Sequence, residues 1–184
     1  MIIGITGTNG AGKGTVVEYL VKNKGFVHYS VRKYIEKEII RREMPINRNS
    51  MNIVGNDMRA KYGFDYWDNI IFEDARKNGH ENIVIESLRN LASAEKLKEQ
   101  GVSIWAVDAD KRTRYERVIL RRSGTDTVSF EEFSAQEDKE MVQTGIHDMN
   151  VHAIMAMADV KLTNNGTQEE LFAQVESALE KYTQ

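Results

Sequence analysis

Cysteine is absent from this sequence of 184 residues, which removes a disulfide framework, a thiolate zinc site and a cysteine nucleophile in one step. Long apolar runs are missing too: no stretch approaches the ~18 residues of a membrane-spanning helix. The opening "MIIGIT" has neither a basic leader nor a long apolar core, which argues against a signal peptide. A cytoplasmic protein with no membrane partner is the expectation. The four histidines are scattered, and with no H-E-x-x-H or comparable set a transition-metal site is not expected. A net charge of −3 argues against an extended nucleic-acid surface, although 25 Lys and Arg remain to build a local anion site. Proline occurs once: Pro45, after "EIIRRE", marks the end of a helix that begins near 31.

What is present is an ordinary globular mixture, 41% hydrophobic and 29% charged, of a length that suits one domain over 1–184. Five short β-branched or aromatic runs read as strands: "MIIGIT" (1–6), "FVHYS" (26–30), "NIVIES" (82–87), "VSIWAVD" (102–108) and "DVKLTN" (159–164). Several are continuous apolar runs, as in strands covered on both faces. Between them lies helical spacing, with Val17, Leu20 and Val21 forming one face and Leu171, Val175, Leu179 and Tyr182 another. "SFEE" (129–132) and "TQEE" (167–170) are capping boxes that open helices. The alternation predicts an α/β fold, a five-stranded parallel sheet with helices on both faces. The stretch 31–80 is too long for a simple crossover. It predicts three helices, near 31–43, 49–61 and 66–78, forming a flap over the carboxyl ends of the strands, where open α/β sheets bind ligands.

The stretch "GTNGAGKGT" fits G-x-x-x-x-G-K with Gly7, Gly12 and Lys13 in register, after an expected strand and before an expected helix. Backbone N–H groups of such a loop turn inward as an anion nest, the helix N-terminus adds partial positive charge, and the lysine adds a full one. Gly7, Thr8, Asn9, Gly10, Ala11, Gly12, Lys13, Gly14 and Thr15 are therefore the candidate phosphate cradle. The residue after the lysine is Gly14, and the hydroxyl arrives one position later at Thr15.

"GAGKGT" in this form resembles the adenylate kinase and nucleoside monophosphate kinase group of P-loop proteins, which implies ATP at the loop and Mg²⁺ held largely through water near Thr15. "IVIESLR" is similar to the strand-and-loop D-G-x-R element of dephospho-CoA kinase-like and archaeal adenylate kinase-related proteins. "VDADKRTRYERVILRR" resembles the strand and helix leading into their lid, and "ADVKLTNNGTQEEL" their closing strand and adenine-side loop. The resemblance covers most of the chain in the right order, and it implies an arginine lid near 121–130 and base contacts at Asn165 and Gly166.

Glu86 ends an apolar strand beside the loop, where an acid can orient Mg²⁺-bound water near the β- and γ-phosphates; given the loop, this role is favoured over a polar strand end in solvent. Arg112, Arg114, Arg117, Arg121 and Arg122 crowd one segment, with 114, 117 and 121 sharing a helical face. Arg121 and Arg117 are the candidates for stabilising charge on a migrating phosphoryl group. Arg89, three residues beyond Glu86, suits a bidentate clamp on an acceptor phosphate, with Arg59 and Arg32 in the flap as further acceptor contacts. Tyr66 and Trp67 suit either stacking on an acceptor base or packing of the flap.

The expected activity is ATP-Mg²⁺-dependent transfer of a phosphoryl group to a small acceptor. "SVRKYI" has no acid where dephospho-CoA kinase-like proteins carry an Asp after strand two, which favours a nucleoside or deoxynucleoside monophosphate, already ionised, over an alcohol. Asp57, Asp65 or Glu86 could replace that acid. A dephospho-CoA or other alcohol kinase and a nucleotide-binding regulatory ATPase remain the alternatives. A GTPase would want N-K-x-D, and Asn23-Lys24 is followed by Gly25-Phe26.

Overall fold

Residues 1–120, 129–141 and 150–182 are described in the computed structural model of this chain. The five apolar runs become β1 (Ile2–Gly7), β2 (Val27–Ser30), β3 (Ile83–Glu86), β4 (Ser103–Asp108) and β5 (Val160–Thr163). They form one sheet in the order β2-β3-β1-β4-β5, every neighbouring pair parallel. All five thus point their carboxyl ends to one edge. β1 is central, so the loop that follows it opens in the middle of that edge.

Alternation along each strand divides the core in two. Ile3, Ile5, Val84, Trp105, Val107 and Leu162 face α1 (Lys13–Lys24) and α9 (Gln168–Glu180). Ile83, Ile85 and Ile104 face the other way, toward α5 (Leu91–Glu99) and α8 (Val151–Ala156) and the flap helices. Trp105 is fully buried and its Nε1 donates to Ser103 Oγ at 2.9 Å. Two expected helix faces are shifted. In α1, Val16 is buried while Val21 is 38% exposed, so the stripe lies one residue earlier. In α9, Ala178 is buried with Leu171 and Val175, and Tyr182 beyond the helix is exposed but reaches back with its hydroxyl to Ser103 Oγ at 2.6 Å.

The 31–80 stretch forms α2 (Val31–Arg41), α3 (Arg48–Tyr62) and α4 (Tyr66–Lys77). α2 stops before Pro45, with Glu43 in the left-handed region at φ 55°. The Asn47 side chain caps α3 by accepting from Ser50 N at 2.9 Å. α6 (Lys111–Leu120) follows β4, and α7 (Phe130–Met141) opens on the expected Ser129–Glu132 capping box. Thr167 and Glu170 cap α9 reciprocally. No helix among the described residues is long and apolar enough to cross a membrane.

Candidate phosphate-binding site

The loop 8–12 leaves β1 and turns into the N-terminus of α1, which sets it at the positive end of the helix dipole. Two glycines are required there by their surroundings. Gly10, at φ 80°, lies against the backbone of Arg114, and a Cβ would collide with that residue's carbonyl oxygen. Gly12, at φ 99°, caps α1 in the left-handed region, and a Cβ would strike the Asn164 amide. The loop is thus pressed between α6 and the turn after β5. Lys13 Nζ donates to the carbonyls of Gly7 at 2.9 Å and Thr8 at 2.7 Å, which ties the ammonium to the start of the loop. Thr15 lies in the first turn of α1.

Glu86 pairs with Ile5 in the register of β1 and β3 and so stands beside the loop at the sheet edge. His28 Nε2 lies 3.1 Å from its Oε2. The carboxyl is held below its ordinary range, first by His28 and then by the charges of Lys13 and Arg89, against the opposing effect of burial. Lys13 and Arg89, singled out separately from Glu86 in the sequence, therefore both bear on its carboxylate. The turn between Glu86 and Arg89 is sharp because Ser87 is left-handed, at φ 73°. That is the glycine position of D-G-x-R, filled here by a residue with a Cβ.

The arginines of α6 separate on folding. Arg114 does not share a solvent face with Arg117: it is 5% exposed, and its guanidinium donates to the carbonyls of Ala109 at 2.7 Å and Asn9 at 3.4 Å and pairs with the buried Glu137 of α7. It is a brace under the loop. Arg112 pairs with Glu116 at 3.2 Å on the surface. Arg117 Nη1 donates to the Asn164 carbonyl at 2.9 Å, which places it along the turn after β5. Arg121, Arg122 and nearly all of the expected lid lie outside the described residues. In the turn after β5, Asn164 Nδ2 donates to the Ala11 carbonyl at 2.8 Å and Asn165 Oδ1 accepts from Asp110 N at 2.8 Å, with Gly166 next in the chain.

In the flap, Arg59 is half-buried; burial pulls its guanidinium below the ordinary value, and Asp68 works against that. Arg32 is exposed and its Nε donates to Glu36 at 2.8 Å. Trp67 is buried in the core and its Nε1 lies 3.4 Å from the Gly55 carbonyl, so it packs the flap rather than offering a face to a base. Tyr66 stacks on Tyr62 with centroids 4.9 Å apart. Of the acids considered as substitutes for the missing Asp, Asp57 pairs with Arg42 at 2.7 Å and Asp65 with Lys96 at 2.5 Å.

Sequence reasoning passed over three polar groups. Asp108 ends β4 as Glu86 ends β3, and its Oδ1 accepts from Thr8 Oγ1 at 2.6 Å, anchoring the loop; an acid closing an apolar run was the available signal. Asp68 is buried between α4 and α5, with Ser93 Oγ 2.5 Å from its Oδ2. His28 gave no signal, because only the register of β2 on β3 brings it to Glu86.

Among the described residues no cluster of three or more His, Asp or Glu could cage a metal. The residues do fit an ion shared with a nucleotide. Mg²⁺ keeps several waters and binds through phosphates and one or two protein groups, a role that Glu86 and Thr15 suit.

A family model described as an AAA domain matches residues 3–143. The chain belongs to the AAA domain family. A UPF0200 protein of Thermococcus kodakarensis is 27% identical over 187 residues, covering 98% of this chain and 97% of its own length. Among solved structures, shikimate kinase from Bacteroides thetaiotaomicron is similar with a TM-score of 0.63 at 13% identity, covering 100% of this chain and 99% of its own. A gluconokinase from Sinorhizobium meliloti is similar with a TM-score of 0.56 at 13% identity, covering 98% and 91%. At such identity these likenesses concern the fold, a P-loop kinase-like α/β sheet.

Proposed function

We propose that this AAA domain protein is an ATP-Mg²⁺-dependent phosphotransferase that moves the γ-phosphoryl group to a nucleoside or deoxynucleoside monophosphate-like acceptor held under α2–α4. The observation that carries this reading is the convergence of Lys13, Glu86 and Arg89 at the loop after β1, close enough that both cations act on the one carboxylate. ATP supplies the phosphoryl group, and Mg²⁺ supplies neutralising charge. The chain's own part is placement and electrostatics. Backbone N–H groups of 8–13 and the Lys13 ammonium hold the donor's phosphates. Arg89 and Arg59 hold the acceptor's anionic end, Arg117 and the turn at Asn165 and Gly166 border the nucleoside, and Arg121 in the lid completes the charge on closure.

A phosphate acceptor needs no base, which suits a flap whose Asp57 and Asp65 are both tied in ion pairs. One observation favours an alcohol acceptor as a second reading: Asp68, a buried carboxyl in the flap wall, is pushed up to about 6 by burial and could take a hydroxyl proton near neutrality. ADP release from ATP-Mg²⁺ separates the readings when a panel of nucleoside and deoxynucleoside monophosphates is set beside dephospho-CoA, shikimate and gluconate. Stimulation by a monophosphate, with Arg89→Ala raising its KM and leaving ATP binding intact, is expected. Stimulation by alcohols only refutes the acceptor class. Slow hydrolysis unaffected by every compound would point to a regulatory ATPase.

A further inference from the structure

Glu86 carries one more rotatable bond than the Asp of the motif it resembles, so an unsupported side chain would spread over more rotamers. Its support comes from the neighbouring strand. The register of β2 on β3 sets Ser30 against Glu86 and His28 against Val84, so the imidazole rises from two residues deeper in the sheet, on the face that Glu86 shares with Val84. His28 Nε2 is buried and makes no well-aligned hydrogen bond among the described residues; Glu86 Oε2 stands 3.1 Å away. Two acceptors would repel at that distance, so Nε2 carries a proton. A buried donor next to a carboxylate that already feels the charge of Lys13 has one evident use, and the nucleotide contacts assigned above make no demand on it.

We propose that His28 is a positioning residue for Glu86: its Nε2–H holds Oε2 of the carboxylate, leaving Oε1 to receive the hydrated Mg²⁺ of ATP at the loop after β1. The inference rests on the phosphotransferase reading. It adds a residue from β2, the edge strand, to a site whose loop follows β1 and whose carboxylate ends β3. Groups that orient the ligands of a metal cost about 10–100-fold in metal affinity or activity when removed, and the lower end suits an ion held through water.

The test is calorimetric titration of ATP into the full chain, in excess Mg²⁺ and again in EDTA, for wild type, His28→Ala, Glu86→Gln and the double variant. Wild type should bind ATP more tightly with Mg²⁺. His28→Ala should lose about tenfold of that gain and bind ATP like wild type in EDTA. If both residues act through one contact, the double variant should be no weaker than Glu86→Gln. His28→Gln, whose amide N–H reaches a similar distance, should recover most of the gain and guards against a fold defect in the alanine variant. The proposal is overturned if His28→Ala keeps the full gain, if its loss is equal in EDTA, if the two losses multiply, or if Gln is no better than Ala. A wild type that binds ATP equally with and without Mg²⁺ overturns it as well. A wild type that binds no ATP overturns the phosphotransferase reading itself, and this inference with it.

Discussion

Asp68→Asn should stabilise the protein at neutral pH and leave it nearly unchanged in acid. Asp68 is 4% exposed between α4 and α5, with Ser93 Oγ donating to Oδ2 at 2.5 Å. Burial pushes its carboxyl up to about 6, opposed by the Ser93 hydroxyl and the Arg59 charge; in the unfolded chain it titrates near 3.8. Between these values the folded state binds more protons than the unfolded state. Stability is therefore lost as pH rises through this window, and the loss is complete above it. A gap of about 2 between the two pKa values corresponds to about 3 kcal/mol at pH 7 and to nothing below the unfolded value. Asparagine keeps an oxygen for the Ser93 hydroxyl but cannot ionise, so it escapes the penalty. The stability difference between variant and wild type should be near zero around pH 3 and approach about 3 kcal/mol, in favour of the variant, around pH 7.5. Urea unfolding at a series of pH values measures it, read by fluorescence of Trp67 and Trp105, both buried and the only two tryptophans. Taking the difference cancels every titration the two chains share. A flat difference, or one that grows toward acid, would falsify this account of Asp68.

Lys13→Ala should leave the thermal transition nearly unchanged while lowering phosphoryl transfer about 10²–10³-fold, and normal turnover with the best acceptor would remove the kinase reading at its root. Ser87→Gly should gain about 1 kcal/mol in urea unfolding, since Ser87 holds φ 73° at a Cβ cost that glycine avoids; a destabilised variant would mean that the hydroxyl matters more than the backbone. Arg114→Ala should cost about 3 kcal/mol, because among the described residues the buried Glu137 keeps only Lys111 at 3.5 Å, and should weaken ATP binding through the released Asn9 carbonyl. A loss under about 0.5 kcal/mol, the usual range for a surface change, would return Arg114 to an exposed role.

Strand and helix existence was legible in the sequence, because that information is local. Continuous apolar runs mark strands covered on both faces, and the glycine spacing at 7–12 dictates where a chain must turn before a helix. The flap was legible as three helices for the same reason, and so were the two capping boxes, which need only a hydroxyl and an acid three residues apart. The place of Glu86 at the sheet edge was legible because an acid that closes an apolar run tends to mark the strand's end. The same rule would have found Asp108.

The division of the α6 arginines was decided by tertiary structure alone. Helical spacing groups Arg114 with Arg117, but spacing cannot say which neighbour arrives; α7 brings Glu137 and buries Arg114, while the turn after β5 brings a carbonyl to Arg117. His28 belongs to the same class. It stands 58 positions from Glu86, and only parallel pairing of β2 with β3 makes them partners. Trp67 was ambiguous between a stacking face and a core residue until α3 placed the Gly55 carbonyl against its ring nitrogen. Local sequence sets what each segment can become, because backbone preference and apolar periodicity act over a few residues. Which charge meets which, and which is taken out of water, depends on chain segments far apart in sequence, and those are brought together only by the packed sheet.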